Sequence, residues 1–160
     1  MAELVFDNNT VRREMIEEAL RDLRFAFQRR PKPQKWVRDD LHPVYLLDAT
    51  DFVRDIEAGK DRALLFQSAI PYFAFLTNEA RVFLLPDYLG TITKYESFIL
   101  SAVCDLDDER GKALLSSLTP AEQAAVRQFI AALSQSKDMQ FYSEDIAKLA
   151  HLVDVSQTIR

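Results

Sequence analysis

Apolar residues recur at helical spacing along most of the chain, and the clearest run is "LTPAEQAAVRQFIAAL". Thr119 is placed to cap a helix there, Pro120 occupies a position where its missing amide costs nothing, and Glu122 can complete a capping box. The same spacing of apolar residues predicts a first helix over residues 11–27 and a last helix over 143–153.

The stretch between the first helix and residue 60 is less regular. Residues 34–49 show no single hydrophobic period and Pro43 interrupts them, so we expect irregular structure or a short strand. A short helix is predicted over 50–58, where Gly59 can end it in a left-handed conformation. A further helix is predicted over 61–69.

A proline lies inside one of the most apolar stretches, residues 76–92. Thr77 is a suitable N-cap for a helix there, but Pro86 lacks the amide that would bond to the carbonyl four residues earlier, and its ring crowds that turn. We therefore predict that the helix ends near Leu84 or kinks sharply there, with Gly90 ending the next turn. Because the surrounding residues are apolar on nearly every side, this corner should be buried.

Together these patterns predict an all-α fold, a compact and irregular bundle of six or seven helices with a buried corner made by Pro86 and little or no sheet. Only three glycines occur in 160 residues, which disfavours a hairpin-rich β fold. We expect a single helical domain over 1–160. Within it, 29–38 is predicted to be a basic, proline-containing connector, and 154–160 is expected to fray.

Charge and cysteine content indicate the setting. The formal net charge is −5 at pH 7, which favours a basic partner over a polyanion. Cys104 is the single cysteine, so a reducing cytoplasm is the expected location. The N-terminus lacks the pattern of an export signal, and the nearly uncharged run 63–78 is shorter than the about 20 residues that span a bilayer. We therefore expect a soluble protein with no membrane partner.

Two motifs carry a resemblance to known proteins. The stretch "FLTNEARVFLLPDYL", followed further along by "LTPAEQAAVRQFIAAL", resembles a family of small bacterial helical proteins of unknown function that share an LTPEA…YLPAYL core. The resemblance covers about residues 66–133, departs from the family at Asn78, where proline is preferred, and implies a compact helical fold without a known activity. The residues that carry it are Thr77, Glu79, Ala80, Leu85, Pro86, Tyr88, Leu89, Thr119, Pro120, Glu122, Val126 and Phe129.

The sequence contains no recognisable catalytic or metal-binding motif. His42 and His151 each stand alone, without a second ligand at helical spacing. Cys104 ends an apolar helical stripe beside Asp105, whose charge would raise a thiol pKa, so we interpret this cysteine as a small core residue. We therefore predict no catalytic residues, no metal site and no cofactor.

An acidic stretch between two predicted helices is the leading candidate for a binding site. It contains Asp105, Asp107, Asp108 and Glu109, but it lacks the glycine and the glutamate that a calcium loop requires. Such a loop can steer a basic partner. Our leading hypothesis is therefore a non-enzymatic, protein-binding module of the cytoplasm, and in its sharper form an acidic inhibitor or immunity-type protein. The sequence indicates no oligomeric state.

Two alternatives remain open. A basic stretch with an aromatic residue could bind nucleic acid as part of an accessory protein; its residues are Arg29, Arg30, Lys32, Lys35, Trp36 and Arg38. Because Asp39 and Asp40 follow directly and the rest of the chain is acidic, we favour a protein partner over nucleic acid. The second alternative is an enzyme of unrecognised type that works from the region between Tyr72 and Tyr88, which requires a polar pocket there.

Overall fold

Nine α-helices and one 3₁₀ helix form the fold in the computed structural model, which describes residues 8–156. No strand occurs among these residues, so the predicted all-α class is confirmed. None of the helices in this range is both long and apolar enough to cross a membrane. The helices are α1 (Asn8–Phe27), α2 (Pro43–Glu57), α3 (Arg62–Phe66), α4 (Tyr72–Phe75), α5 (Asn78–Lys94), α6 (Phe98–Leu106), α7 (Glu109–Ser116), α8 (Pro120–Ser134), the 3₁₀ helix (Lys137–Tyr142) and α9 (Ser143–Val155).

There are more elements than the six or seven helices predicted, because short turns form separate elements. Helix α4 is four residues long and the 3₁₀ helix is six. Elements of this length are shorter than the window over which a hydrophobic period can be recognised. Helix α7 is also separate, because α6 ends at its C-cap Asp107 and α7 begins after its N-cap Asp108.

Helix α5 lies at the centre of the bundle and packs against α1, α3, α6 and α7. Its side chains Leu84, Leu85, Leu89 and Ile92 are each at most 1% exposed. Burial of one such side chain contributes about 1.5–3 kcal/mol. The four together therefore outweigh the roughly 3 kcal/mol that a proline costs inside a helix.

The energetic balance explains why Pro86 lies inside a continuous helix. Helix α5 runs from Asn78 to Lys94 and includes the buried Pro86, so the predicted helix end near Leu84 is wrong. Gly90 does not end a turn either. It lies where α5 meets α1, as the position of Leu20 shows: a Cβ atom at Gly90 would come 3.1 Å from Cδ1 of Leu20.

Helix α2 begins seven residues earlier than the predicted start at residue 50. Pro43 is its first residue, and the side chain of His42 caps it by accepting a hydrogen bond from the amide of Val44 at 3.3 Å. The expectation of irregular structure or a strand throughout 34–49 is therefore wrong. Proline at the first helical position costs no hydrogen bond. Residues 43–47 at the start of α2 are exposed, so these turns show no hydrophobic period in the sequence. One isolated antiparallel bridge, Val37 to Leu76, precedes the helix.

Two predicted helix termini are confirmed, and α9 extends into the segment that was expected to fray. Gly59 follows α2 with φ +80°, and Thr119 and Glu122 form the capping box of α8. Fraying of 154–160 is not seen at its start, because α9 continues to Val155 and Asp154 pairs with Arg127 at 2.9 Å. Residues 157–160 lie outside the described range.

Candidate functional site

Tyr88 and Asp105 connect two helices at the centre of the candidate site. Tyr88 lies on α5, where it is 1% exposed, and its hydroxyl donates a hydrogen bond to Oδ2 of Asp105 on α6. The other oxygen of this half-buried carboxylate, Oδ1, accepts no hydrogen bond from the described residues. Asp105 therefore keeps one oxygen for a further donor.

Arg81 is a buried charge beside this pair. It lies seven residues before Tyr88 on α5, two turns along the same face, and is 1% exposed. Its Nη2 donates to the backbone oxygen of Asp105 at 3.2 Å, and its guanidinium carbon lies 4.5 Å from the ring centroid of Phe73. In the described part of the chain, Nε and Nη1 have no partner. The sequence did not reveal Arg81, because an arginine in a helical first turn is usually solvent-facing.

Burial changes the proton affinity of these three groups. It raises the pKa of the Tyr88 hydroxyl well above its usual value, and the charge of Asp105 adds to this effect. Burial also raises the pKa of Asp105, although the hydrogen bond from Tyr88 and the charge of Arg81 oppose the rise. It lowers the pKa of Arg81, as does the charge of Arg110. Tyr88 is therefore a hydrogen-bond donor at neutral pH.

A cavity of about 320 Å³ opens beside Tyr88 and Asp105. It lies between residues 66–73 and α6, and the aromatic sequence "PYF" (71–73) forms part of its wall. Around Tyr88, the ring of Phe73 stacks at 3.8 Å between centroids, and the ring of Phe98 packs edge-on at 5.0 Å. The walls are thus mostly aromatic and aliphatic; the polar side chains that line the cavity are Ser68, Tyr72, Tyr88, Ser101, Cys104 and Asp105.

A groove of about 720 Å³ lies on the other side of α6, against α9. Cys104 lines both the groove and the cavity. The prediction that Cys104 is a core residue is wrong, because its side chain is exposed. The buried stripe of α6 follows Ile99, Ala102, Val103 and Leu106, and position 104 falls outside that spacing. We call the surface formed by the cavity, Leu100, Cys104 and the groove the α6 face.

The predicted acidic loop is divided by the start of α7. Asp105 turns inward to Tyr88, whereas Asp108 caps α7 by accepting a hydrogen bond from the amide of Gly111 at 2.7 Å. Asp107 is exposed and borders the groove, 3.9 Å from Lys112. Glu109 is exposed in the first turn of α7. Two of the four acids, Asp105 and Asp107, therefore lie on the α6 face.

Four of the cations in the predicted basic connector form ion pairs, two of them with distant parts of the chain. Arg30 forms two hydrogen bonds with Glu122, at 2.7 and 2.6 Å. The other pairs are Lys32 with Glu57, Lys35 with Asp39, and Arg38 with Asp40. Arg29 is exposed. Most of its positive charges are therefore balanced within the chain, while Lys32 and Lys35 stay more than half exposed.

Trp36, the aromatic residue of that segment, is turned toward the core. It is half-buried, and its ring packs edge-on against Phe83 of α5 at 5.8 Å between centroids. The backbone oxygen of Trp36 accepts the amide of Thr77 at 2.9 Å, which fixes this segment at the start of α5. The contact with Phe83 therefore leaves only part of Trp36 accessible to a base.

A second exposed surface lies at the start of α2. Val44, Tyr45, Leu46 and Leu47 are consecutive and 44–71% exposed. Tyr45 partly covers Phe75 by ring stacking at 5.1 Å. Exposed apolar residues next to one another can mark a protein interface. Asp51, one turn further along α2, forms an ion pair with Arg54 at 3.3 Å.

The described residues contain no group of three or more histidine, cysteine, aspartate or glutamate side chains that could hold a metal ion. Cys104 and His151 line the same groove, but no hydrogen bond joins them. A nucleophile and its base normally lie within hydrogen-bond reach. The hypothesis of an enzyme near Tyr88 gains a cavity from the structure but no nucleophile–base pair, and it stays a prediction.

No protein-family model matches the chain, and neither a curated protein nor a solved structure matches it. The resemblance to small bacterial helical proteins therefore stays a prediction.

Proposed function

We propose that the protein is a non-enzymatic module that binds a basic partner protein on its α6 face, and that it acts as an inhibitor or immunity-type protein of the bacterial cytoplasm. The observation that carries the proposal is that Asp105 and the "PYF" aromatics line one cavity, and that Cys104 joins this cavity to the groove. Aromatic residues are enriched at protein interfaces, and a carboxylate among them can pair with a positive charge of the partner.

The charges of the α6 face support a basic partner. Three acids, Asp105, Asp107 and Glu144, line the cavity and the groove, against one lysine, Lys148. The chain as a whole carries −5, which would attract a basic protein from a distance. A second copy of this chain would carry the same acidic charge, so we favour an unlike partner. The free, exposed Cys104 suits a reducing compartment such as the cytoplasm.

The test is capture of partners from the native host by the tagged protein and by two charge-matched variants. One variant carries Asp107→Lys and Glu144→Lys on the α6 face. The other carries Glu14→Lys and Glu17→Lys, which are exposed on α1 and change the net charge by the same amount. We expect a basic partner to be retained by the native protein and by the α1 variant, and lost by the α6 variant.

Three results would count against the proposal. Equal loss in both variants would indicate general attraction between opposite charges. Equal retention in both would place the partner elsewhere, and a third variant, Leu47→Asp, then tests the exposed turns of α2. Failure to retain any basic protein at low salt would remove the support for a protein-binding function.

A further inference from the structure

The cavity beside Tyr88 has the chemistry of a site for a single cationic group. Two ring contacts hold its aromatic residues in place: Phe66 packs edge-on against Tyr88 at 5.3 Å, and Tyr72 stacks on the buried Phe52 behind it at 4.6 Å. Ring faces and edges of this kind bind the alkyl stem of a long side chain, and the faces attract its charge.

At the polar end of the cavity, no cation of residues 8–156 forms a hydrogen bond with the carboxylate of Asp105. Tyr88 donates to one oxygen of Asp105, and Arg81 donates to the backbone oxygen of Asp105 and not to its carboxylate. The residues that line the cavity include no lysine and no arginine. The free oxygen of Asp105 is therefore open to a charge-assisted hydrogen bond with a donor that enters from outside.

The size of the cavity selects one side chain and not a helix or a strand. Its volume is about 320 Å³, at the lower end of the range for pockets that hold small molecules. Ser101, which is exposed on α6, and Ser68, in the segment 66–73, also line the cavity. Their hydroxyl groups can accept hydrogen bonds from an ammonium or a guanidinium group.

We infer that the cavity receives one basic side chain, a lysine or an arginine, from the partner that binds the α6 face. Its alkyl stem lies between the rings of Tyr72 and Phe98, and its charged end reaches the free oxygen of Asp105. The inference rests on the proposed function, because it names the residue by which the partner is anchored. The groove on the other side of Cys104 then holds residues of the partner that neighbour this side chain.

The site can be tested without the partner by two small probes. N-acetyl-lysine methylamide carries the cation, and N-acetyl-norleucine methylamide has the same apolar stem without it. Titration of the isotope-labelled protein, followed by NMR, should show millimolar binding of the lysine probe. The shifted signals should belong to Tyr88, Ser101 and Asp105. The norleucine probe should bind at least about tenfold more weakly, since it leaves the carboxylate unpaired.

Three variants check the location of the probe. Asp105→Asn should weaken binding of the lysine probe at least about tenfold, whereas Asp107→Asn, which removes an acid of the groove, should leave it unchanged. Because Asp105→Asn could also disturb the fold, Ser101→Phe provides a second route: it adds a ring at the exposed edge of the cavity and should block the probe.

The outcomes separate this inference from the proposed function. Equal binding of both probes, or binding of the lysine probe that Ser101→Phe leaves unchanged, would overturn the cation site. Capture of a partner that is insensitive to Asp105→Asn and Ser101→Phe, without probe binding, would also overturn it and leave the protein-binding function standing. Probe binding at Asp105 without any captured partner would support the site and count against the proposed function.

Discussion

The side chain of Arg30 forms two hydrogen bonds with the carboxylate of Glu122, which lies 92 positions further along the chain. Glu122 is 3% exposed, and the same carboxylate accepts the amide of Thr119 at 2.8 Å, closing the capping box of α8. One carboxylate thus joins the segment after α1 to the N-terminus of α8. Bidentate pairs between arginine and a carboxylate are among the stronger charged hydrogen bonds in proteins.

We expect Arg30→Ala to lower the free energy of unfolding by about 2–3 kcal/mol. Removal of one partner of a buried ion pair costs about 3–5 kcal/mol, because the other charge stays buried. Since the Arg30 side chain is 29% exposed, solvent should reduce this loss. Urea denaturation measures it. Arg29→Ala, at an exposed neighbour, should change stability by less than about 0.5 kcal/mol. Similar losses in both variants would contradict a specific role for the pair.

The same ion pair predicts a pH dependence of stability. Burial raises the pKa of Glu122, but the hydrogen bonds from Arg30 and Thr119 outweigh it, so the folded pKa lies below the usual 4.5. The unfolded chain therefore binds the proton first as pH falls. The contribution of Glu122 should be complete above its unfolded pKa and decrease as the pH falls through its folded pKa.

Urea denaturation of the native protein and of Glu122→Gln, between pH 7 and pH 3, checks this dependence. The native protein should be more stable at neutral pH, and the difference should shrink below about pH 4.5. A difference that stays constant over the whole range would show that the charge of Glu122 does not contribute.

The contrast between Thr119 and Arg30 shows how far the sequence could predict this structure. The capping box of α8 is a local motif of four residues, so it could be read directly. The partner of Glu122 is set by tertiary packing. Because the sequence does not show this pairing, Arg30 resembles an unpaired cation that could bind nucleic acid. Long-range contacts of this kind leave no local pattern.

The same difference between local motifs and long-range contacts applies to the candidate site. Asp105 and the "PYF" aromatics could be selected as residues of interest, but not as walls of one cavity, because only the packing of α6 brings them together. The start of α2 was missed for another reason. Its first two turns are exposed, and a helix that buries no face has no hydrophobic period to recognise.

We expect Tyr88→Phe to raise the pKa of Asp105 further. The hydrogen bond from Tyr88 lowers that pKa against the effect of burial, and phenylalanine cannot donate. Loss of a donor to a half-buried carboxylate should also cost about 1–3 kcal/mol of stability. Carbon-detected NMR across a pH series gives the pKa directly. Tyr72→Phe, which lines the same cavity, should leave the pKa of Asp105 unchanged; an equal shift in both variants would contradict the assigned contact.

A single-stranded oligonucleotide should leave the fluorescence of Trp36 unchanged, even at low salt. Trp36 packs on Phe83, and the cations around it are paired with acids of the same chain. A titration at increasing oligonucleotide concentration measures this. Saturable quenching that weakens steeply with salt would support the nucleic-acid alternative instead. A charge-reversal control should then use Arg29 and Lys32, because reversal at Arg30 would break its pair with Glu122 and destabilise the fold.

The close approach of α6 and α7 at Gly111 leads to a prediction about the frame of the candidate site. A Cβ atom at Gly111 would lie 2.4 Å from Cα of Leu106 and 2.5 Å from the backbone oxygen of Asp105. Because these are backbone atoms, they cannot rotate away as a side-chain end could. Gly111→Ala should therefore lower stability by at least about 2 kcal/mol, despite a gain of up to about 1 kcal/mol in helix propensity.

Gly90→Ala is the matched comparison, because its new Cβ would meet the end of the Leu20 side chain at 3.1 Å, which can move. We expect this variant to be neutral or more stable by up to about 1 kcal/mol, as helix propensity predicts. The Asp105 oxygen that Gly111→Ala would displace also accepts a hydrogen bond from Arg81. Gly111→Ala should therefore weaken binding of the lysine probe as well, whereas Gly90→Ala should not. Equal stability of the two variants would show that the approach of α6 and α7 is not tight.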